Sequence, residues 1–267
     1  MSASVPLLEV RGLSKSFGGV KAVDGIDFTL AAGELLALIG PNGAGKSTTF
    51  NMVNGQLRPD AGSIRLAGQE MIGLTPRAIW HRGVGRTFQI AATFASLTVV
   101  ENVQMALISA DRKLYSMWRR ARDYRRDDAL ELLEQVGMAA QADRPCSVLA
   151  YGDVKRVELA IAMANAPTLL LMDEPTAGMA PKERNELMAL TRSLVVERGM
   201  AVLFTEHSMD VVFACADRII VLARGRLIAG GAPAAIRDDA RVQEVYFGSG
   251  RTFEKPGTGA ATARAAP

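Results

Sequence analysis

The sequence predicts an α/β fold whose core is a parallel sheet, preceded by a β-rich segment and interrupted by helices. Three continuous apolar runs, at 168–172, 200–204 and 218–222, are typical of parallel strands that are covered on both faces. A segment of helical length, 181–198, separates the first two runs. This alternation of strand and helix favours a parallel sheet whose ligands bind at the carboxyl ends of its strands.

The N-terminal part of the chain carries strand signals. Residues 7–28 are expected to form short strands, with turns at Gly18–Gly19 and at Gly25. Spacing by two, which is typical of a strand, relates Asp24, Ile26, Phe28 and Leu30. Residues 62–68 predict one more short strand between glycine turns. We therefore expect a β subdomain beside the parallel sheet.

Helical patterns dominate the middle of the chain. Residues 99–107 begin one helix, and residues 127–136 predict a second that stops at Gly137. We expect a helical subdomain at about 97–160, inserted into a single α/β domain that spans residues 1–250.

A basic stretch, residues 112–126, lies between these helices. Seven of its fifteen residues are Lys or Arg, and three aromatic residues are interleaved with them: Tyr115, Trp118 and Tyr124. This composition is compatible with a surface that meets a membrane protein or anionic lipid headgroups. Nucleic-acid binding is a second interpretation. The third is a solvated helix face whose aromatic side chains point inward.

Bulk composition is that of an ordinary globular protein, with 49% apolar and 22% charged residues among 267. No apolar stretch reaches the roughly 18 residues that a membrane span needs, and the N-terminus lacks a secretory signal pattern. The net charge of +3 is weak evidence for a nucleic-acid partner.

Cys146 and Cys215 fit reduced thiols better than a disulfide framework. We expect the Gly-, Ala-, Pro- and Thr-rich tail, 251–267, to be disordered.

One motif predicts the ligand that the protein binds. Residues 40–47 match G-x-x-x-x-G-K-[ST] without a mismatch, between the apolar run 34–39 and a plausible helix that begins at Ser47. In that context a glycine-rich loop wraps a triphosphate, the lysine reaches the β- and γ-phosphates, and the serine hydroxyl ligates Mg²⁺. The expected nucleotide-binding residues here are Gly40, Pro41, Asn42, Gly43, Ala44, Gly45, Lys46, Ser47 and Thr48.

A second element of the same chemistry follows the apolar run 168–172. Asp173 and Glu174 stand where that strand ends. Asp173 is expected to hold Mg²⁺ through water, opposite Ser47. Glu174 is expected to orient or deprotonate the water that attacks the γ-phosphate.

Further motifs resemble those of the ATP-binding cassette (ABC) family. Residues 149–153 resemble the LSGGQ signature segment, and residues 177–181 match the D-loop. Gln89 matches the Q-loop glutamine, His207 the switch histidine, and Phe17 the aromatic residue that stacks on adenine. The resemblance covers about residues 7–248, and five ordered motifs at family spacing are far more specific than any one of them.

The resemblance implies a P-loop NTPase cassette with a RecA-like parallel-sheet core, an N-terminal antiparallel β subdomain and the inserted helical subdomain. It implies ATP and Mg²⁺ as cofactors. The residues it assigns are Glu174, His207 and Gln89 for catalysis, Ser47, Gln89 and Asp173 for the metal, and Phe17, Ala150 and Gly152 for the nucleotide.

In the family, two cassettes close around two ATP molecules, and the signature helix of one caps the γ-phosphate held by the other. A chain with one phosphate loop therefore needs a second cassette, either a copy of itself or a related subunit. Two residues depart from the family pattern. Ala150 replaces a serine whose hydrogen bond would contribute about 0.5–1.5 kcal/mol. Ala180 stands where many cassettes carry a D-loop aspartate, a position that the resemblance links to communication between the two ATP sites.

The residues within these motifs are similar to those of the ATPase subunits of bacterial branched-chain amino acid uptake systems. By family analogy we expect permease partners, a periplasmic binding protein acting indirectly, and a peripheral position on the cytoplasmic face of the inner membrane. Related systems carry urea or short amides, so the cargo stays open. The alternative is an ABC ATPase that acts on nucleic acid or ribosomes, although one cassette without sustained heptads favours the transporter with no nucleic-acid partner. A small-molecule kinase would lack the segment 149–153.

Overall fold

A mixed sheet forms the centre of the structure, a computed structural model that describes residues 6–87, 93–111 and 124–247. Within those residues the strand order is β10-β9-β3-β8-β7-β6, with β10 alone antiparallel to its neighbour. The predicted parallel core is confirmed. The strands are β3 (Leu35–Ile39), β6 (Val84–Thr87), β7 (Leu169–Asp173), β8 (Ala201–Thr205), β9 (Arg218–Ala223) and β10 (Arg226–Gly231).

The apolar runs are continuous because the central strands separate two hydrophobic cores. Along β3, Leu35, Ala37 and Ile39 pack into the core shared with the helices. Leu36 and Leu38 point the opposite way, into the core shared with the N-terminal strands. Strand residues alternate between faces, so a strand buried on both sides needs apolar residues at every position.

The N-terminal strands form a separate antiparallel sheet of order β2-β1-β4-β5 among the described residues. The predicted turn at Gly18–Gly19 is confirmed, but the predicted turn at Gly25 is wrong. Gly25 lies inside β2 with a φ of 66°, where the register between β1 and β2 shifts. A positive-φ glycine allows such a bulge without ending the strand. The strands are β1 (Leu8–Phe17), β2 (Val20–Leu30), β4 (Ala61–Leu66) and β5 (Gln69–Glu70).

The helices expected in the middle of the chain lie between β6 and β7, two strands that are neighbours in the sheet. This arrangement is compatible with an insertion at about 97–160, although the domain boundaries, at that insertion and at residue 250, stay predictions. The described helices are α1 (Lys46–Val53), α2 (Pro76–Trp80), α3 (Val99–Ala110), α4 (Arg126–Gln135), α5 (Tyr151–Met163), α6 (Pro181–Arg198), α7 (Met209–Cys215), α8 (Pro233–Asp238) and α9 (Ala240–Phe247). None of them is both long and apolar enough to cross a bilayer.

Helix α3 begins with a capping box. The Thr98 hydroxyl accepts a hydrogen bond from the Glu101 amide at 3.3 Å, and the Glu101 carboxylate accepts one from the Thr98 amide at 2.9 Å. Thr98→Ala should lower the free energy of unfolding by about 1 kcal/mol, because the amide of Glu101 loses its acceptor. Thr98→Ser keeps the hydroxyl and should lie within a few tenths of a kcal/mol of the native chain. Urea denaturation compares them, and equal midpoints for both variants would contradict the prediction.

Candidate active site

The phosphate loop lies between two other parts of the fold. It leaves β3 at Gly40 and enters α1 after Gly45. A Cβ at Gly40 would lie 2.1 Å from the Leu222 carbonyl oxygen, and one at Gly45 would lie 2.3 Å from the Ala22 carbonyl oxygen. Backbone from β9 on one side and β2 on the other therefore excludes any side chain at these two positions.

Lys46 opens α1 and is 7% exposed. Its ammonium donates to the carbonyls of Gly40 at 2.6 Å and Pro41 at 3.1 Å. Burial holds the pKa of Lys46 below its ordinary value, while the charges of Glu174 and Asp173 oppose that shift. The opposing charges thus come from residues at the carboxyl end of β7.

Asp173 and Glu174 are held at the sheet edge by the neighbouring strand β8. The Thr205 hydroxyl donates to Asp173 Oδ1 at 2.8 Å. The Glu174 amide lies 3.1 Å from Thr205 Oγ1 and 3.2 Å from its carbonyl oxygen. Glu174 has a φ of 49°, which is uncommon for a residue other than glycine. Backbone strain of this kind persists where surrounding contacts hold it, as the two contacts from Thr205 do here.

His207 meets Glu174 directly. Its Nε2 lies 2.7 Å from Glu174 Oε1, and the two side chains are 50% and 20% exposed. The residues are 33 positions apart in sequence, so only the adjacency of β7 and β8 brings them together. A carboxylate and an imidazole at hydrogen-bond distance form a pair that can accept and hold a proton.

Arg86 is a residue of this site that the sequence analysis missed. Its side chain is 9% exposed and lies 3.6 Å from the Asp173 carboxylate. It also donates to Asn51 Oδ1 at 3.1 Å and Gln56 Oε1 at 3.0 Å. Burial lowers the pKa of Arg86, and the Asp173 charge opposes the shift. An arginine in a short strand that directly precedes the Q-loop motif was the available signal.

The signature segment, 149–153, packs near Met179 and Glu183. Helix α5 begins after Ala150, which has no side-chain cap, and Gly152 is buried in its first turn. A Cβ at Gly152 would lie 3.4 Å from the Glu183 carboxylate and 3.6 Å from Met179 Cε. Within the described part of this chain, Gly152 therefore approaches the segment that follows Glu174.

Phe17 lies at the tip of the β1–β2 hairpin. Phe17 is 50% exposed, and the Lys15 ammonium lies 5.7 Å from the centroid of its ring. The same hairpin continues to Ala22, whose carbonyl closes against Gly45. An exposed aromatic ring on the hairpin that borders the phosphate loop is suitable for stacking on a base.

Three sequence predictions fall partly or wholly outside the described residues. Gln89 and the tail 251–267 lie outside them, as does most of the basic stretch 112–126. Of the described residues of that stretch, Arg125 lies 3.2 Å from the Asp111 carboxylate and Arg126 lies 2.8 Å from that of Asp143. These two positive charges are therefore compensated by acids of the same helical region.

Two protein-family models match separate segments of the chain. The model of the ABC transporter family matches residues 23–177, which is more than half of the sequence. A second model, described as a branched-chain amino acid ATP-binding cassette transporter, matches residues 226–252.

Two curated relatives match nearly end to end. The high-affinity branched-chain amino acid transport ATP-binding protein BraF of Pseudomonas aeruginosa is 39% identical over 255 residues, covering 92% of this chain and 99% of BraF. The corresponding protein LivG of Escherichia coli K12 is 41% identical over 253 residues, covering 92% and 99%.

Solved structures of ATP-binding cassettes support the fold over most of the chain. The ADP conformation of MJ1267, an ATP-binding cassette of an ABC transporter, has a TM-score of 0.82 and 29% identity, covering 92% of this chain and all of MJ1267. A dimeric post-hydrolysis structure of the cassette MJ0796, bound to ADP and Pi, has a TM-score of 0.71 and 25% identity, covering 85% and 98%.

Proposed function

This chain belongs to the ABC transporter family of ATP-binding proteins, and from that premise we propose that it powers the uptake of branched-chain amino acids or related small polar solutes. As a member of that family it is an ATPase that binds ATP. The observation that carries the cargo assignment is the match to branched-chain amino acid cassettes in the C-terminal segment, 226–252, together with end-to-end similarity to BraF and LivG.

The residues of the phosphate loop, 40–47, fit a nucleoside triphosphate. No side chain fills the loop at Gly40, Gly43 or Gly45, and the first N–H groups of α1 have no intrahelical acceptor. Those N–H groups, together with the helix dipole, are suited to an anion. We assign phosphate binding to residues 40–48, with the Lys46 ammonium exchanging its loop carbonyls for phosphate oxygens, and base stacking to Phe17.

The metal assignment rests on oxygen donors. The Ser47 side chain is exposed in the first turn of α1, and the Asp173 carboxylate projects from the end of β7. Hydroxyl and carboxylate oxygens are the donors that Mg²⁺ prefers. We propose that these two groups, with Gln89, hold Mg²⁺, which when bound neutralises charge on the phosphates. The Arg86 guanidinium, 3.6 Å from the Asp173 carboxylate, would help to orient it.

Hydrolysis is assigned to the carboxylate beside His207. Glu174 would accept the proton of the attacking water as the water oxygen bonds to the γ-phosphorus and the bond from that phosphorus to ADP breaks. His207 Nε2, 2.7 Å from Glu174 Oε1, would hold the carboxylate in place. Gln89 completes the proposed set by positioning the water. The charges of Glu174 and Asp173 oppose the lowering of the Lys46 pKa, which supports assigning the base and the phosphate-binding lysine to the same nucleotide.

A second cassette is part of the proposal. Ala150 and Gly152 start α5, and a helix start can cap a phosphate with backbone N–H groups. In this chain they lie against Met179 and Glu183, so we assign them to the nucleotide held by a partner cassette. The cassette MJ0796 is dimeric in its post-hydrolysis state, bound to ADP and Pi. The partner of this chain is either a second copy or a related ATPase.

The remaining partners follow from the importer assignment. We propose two integral membrane permeases, a periplasmic binding protein that acts through them, and a peripheral position on the cytoplasmic face of the bacterial inner membrane. BraF and LivG, which the chain resembles end to end, are both transport proteins by name. That resemblance supports the importer over the alternative of an ABC ATPase acting on nucleic acid or ribosomes.

Uptake measurements test the cargo directly. Deleting the gene should abolish high-affinity uptake of labelled leucine, isoleucine and valine, and the native gene should restore it. Uptake of an unrelated sugar by the same cells is the control. Affinity purification of the tagged chain from detergent-solubilised membranes should recover permeases and a second cassette. Loss of urea or amide uptake instead would reassign the cargo, and recovery of ribosomes or nucleic acid would contradict the importer.

A further inference from the structure

A buried carboxylate that the assigned chemistry does not use lies directly before His207. Glu206 follows the last residue of β8 and is 4% exposed. Burying an ionised carboxylate is unfavourable unless hydrogen bonds replace the lost water. The contacts of Glu206 therefore indicate what its charge is used for.

Both oxygens of Glu206 accept hydrogen bonds. Oε1 accepts from the Thr176 amide at 2.9 Å and from the Thr176 hydroxyl at 2.6 Å. Oε2 accepts from the amide of His207 at 3.1 Å. Thr176 is itself 1% exposed. Hydrogen bonds to a charged acceptor are stronger than neutral ones, so this is a firm connection between two loops.

Each of the two loops that Glu206 joins carries one residue of the proposed catalytic pair, Glu174 or His207. Thr176 lies two residues after Glu174, and the Ala177 amide donates back to the Glu174 carbonyl at 3.1 Å. His207 reaches Glu174 from the other side at 2.7 Å. These hydrogen bonds, together with the chain from Glu174 to Thr176, therefore form a closed ring through Glu174, His207, Glu206 and Thr176. Apolar residues often stabilise a core as well as buried charges do, so the geometry of this ring is a better reason for the carboxylate than stability.

The loop that Glu206 holds continues to the signature helix. A Cβ at Gly178 would lie 3.6 Å from Tyr151 Cε1, and one at Gly152 would lie 3.6 Å from Met179 Cε. The Met179 carbonyl accepts from the Arg184 side chain at 2.8 Å, which fixes the far end of the loop. Residues 176–179 thus lie between Glu206 and the start of α5.

We propose that Glu206 is a positioning residue that couples the Glu174–His207 pair to the loop 176–179, and through it to the start of α5. This role rests on the proposed function, in which α5 serves the nucleotide of the partner cassette. Glu206 would thereby connect the ATP site of this chain with that of the partner cassette. Such a connection matters here because the D-loop has Ala180 where many cassettes have an aspartate. Movement of α5 on dimer closure is transmitted to the catalytic pair through two side chains, Glu206 and Thr176.

Four substitutions in the complete chain test this role. Glu206→Gln places an amide N–H₂ against at least one donor of the ring. Thr176→Val removes the hydroxyl but keeps the shape and the backbone donor, whereas Thr176→Ser keeps the hydroxyl. Glu197→Gln, on the exposed face of α6, is the matched control for a lost carboxylate. ATP hydrolysis is measured over a range of ATP concentrations, and the number of ATP molecules bound per chain is measured on the same preparations.

The positioning role predicts a change in kcat without a change in KM. Glu206→Gln should lower kcat by about tenfold or more and Thr176→Val by about fivefold, since each hydrogen bond to a charged group contributes enough for such a change. Thr176→Ser and Glu197→Gln should stay within about twofold of native, by the same reasoning. ATP should still bind to every chain.

Two results would overturn it. One is kcat near the native value in both Glu206→Gln and Thr176→Val. The other is a parallel loss of kcat and of the fraction of chains that bind ATP, which a purely structural role predicts. A native chain that hydrolyses no ATP would instead contradict the proposed function, so the two failures are distinguishable.

Discussion

Glu174→Gln is expected to bind ATP with nearly native affinity and to lower kcat by at least about 100-fold, the usual contribution of a general base. The substitution keeps the size of the side chain and can keep its contact with His207, which is 2.7 Å away in the native chain. What it removes is the ability to accept a proton from water. The loss should therefore appear in kcat and not in binding.

Phosphate release at saturating ATP measures the first effect, and equilibrium binding of ATP measures the second. Glu183→Gln is unsuitable as a control, because Glu183 lies beside Gly152 and its carboxylate accepts from the Ala180 amide at the start of α6. Glu197→Gln, which is exposed, removes the same charge away from the site. Full turnover by Glu174→Gln would refute the assignment of Glu174 as the base and would leave His207 as the candidate.

Lys46→Ala is expected to weaken ATP binding by at least about 100-fold, which corresponds to about 2.7 kcal/mol. Charge-assisted hydrogen bonds to phosphate oxygens are among the stronger polar contacts in proteins. In the structure the Lys46 ammonium lies 2.6 Å from the Gly40 carbonyl, at the mouth of the loop. Removing it leaves the loop with backbone donors alone.

Lys46→Arg separates charge from shape. It keeps the positive charge but places a larger planar group where the loop encloses a compact ammonium, so we expect affinity between those of the native chain and Lys46→Ala. Titration with a fluorescent ATP analogue gives the affinities, and thermal unfolding without nucleotide checks that the fold is intact. Native affinity in a folded Lys46→Ala would show that the loop does not hold the triphosphate through this residue.

The central elements of the candidate site could be located in the sequence because the residues of each element are neighbours along the chain. The glycines, Lys46 and Ser47 lie within eight consecutive residues, and Asp173 and Glu174 directly follow an apolar run. Apolar runs predicted the central strands β7, β8 and β9 to within a residue or two, since burial on both faces demands apolar side chains at every position. Gln89 stays a prediction, because it lies outside the described residues.

Contacts between distant residues were not predictable in the same way. Arg86 binds Asn51 across 35 positions, and Glu206 binds Thr176 across 30. Neither pair has a spacing or periodicity that marks it in a single sequence. Gly25 was misread for a related reason: the same positive-φ glycine serves a turn or a bulge, and only the pairing of β1 with β2 decides which.

By itself, then, the sequence determined the phosphate loop, the carboxylates after β7 and the alternation of strands and helices, because each depends on residues that are neighbours along the chain. Only the tertiary structure decided that Glu174 meets His207, that Arg86 supports Asp173 and that Glu206 ties two loops together. Those contacts depend on the order of strands in the sheet, and strand order is set by how all the apolar faces are buried at once.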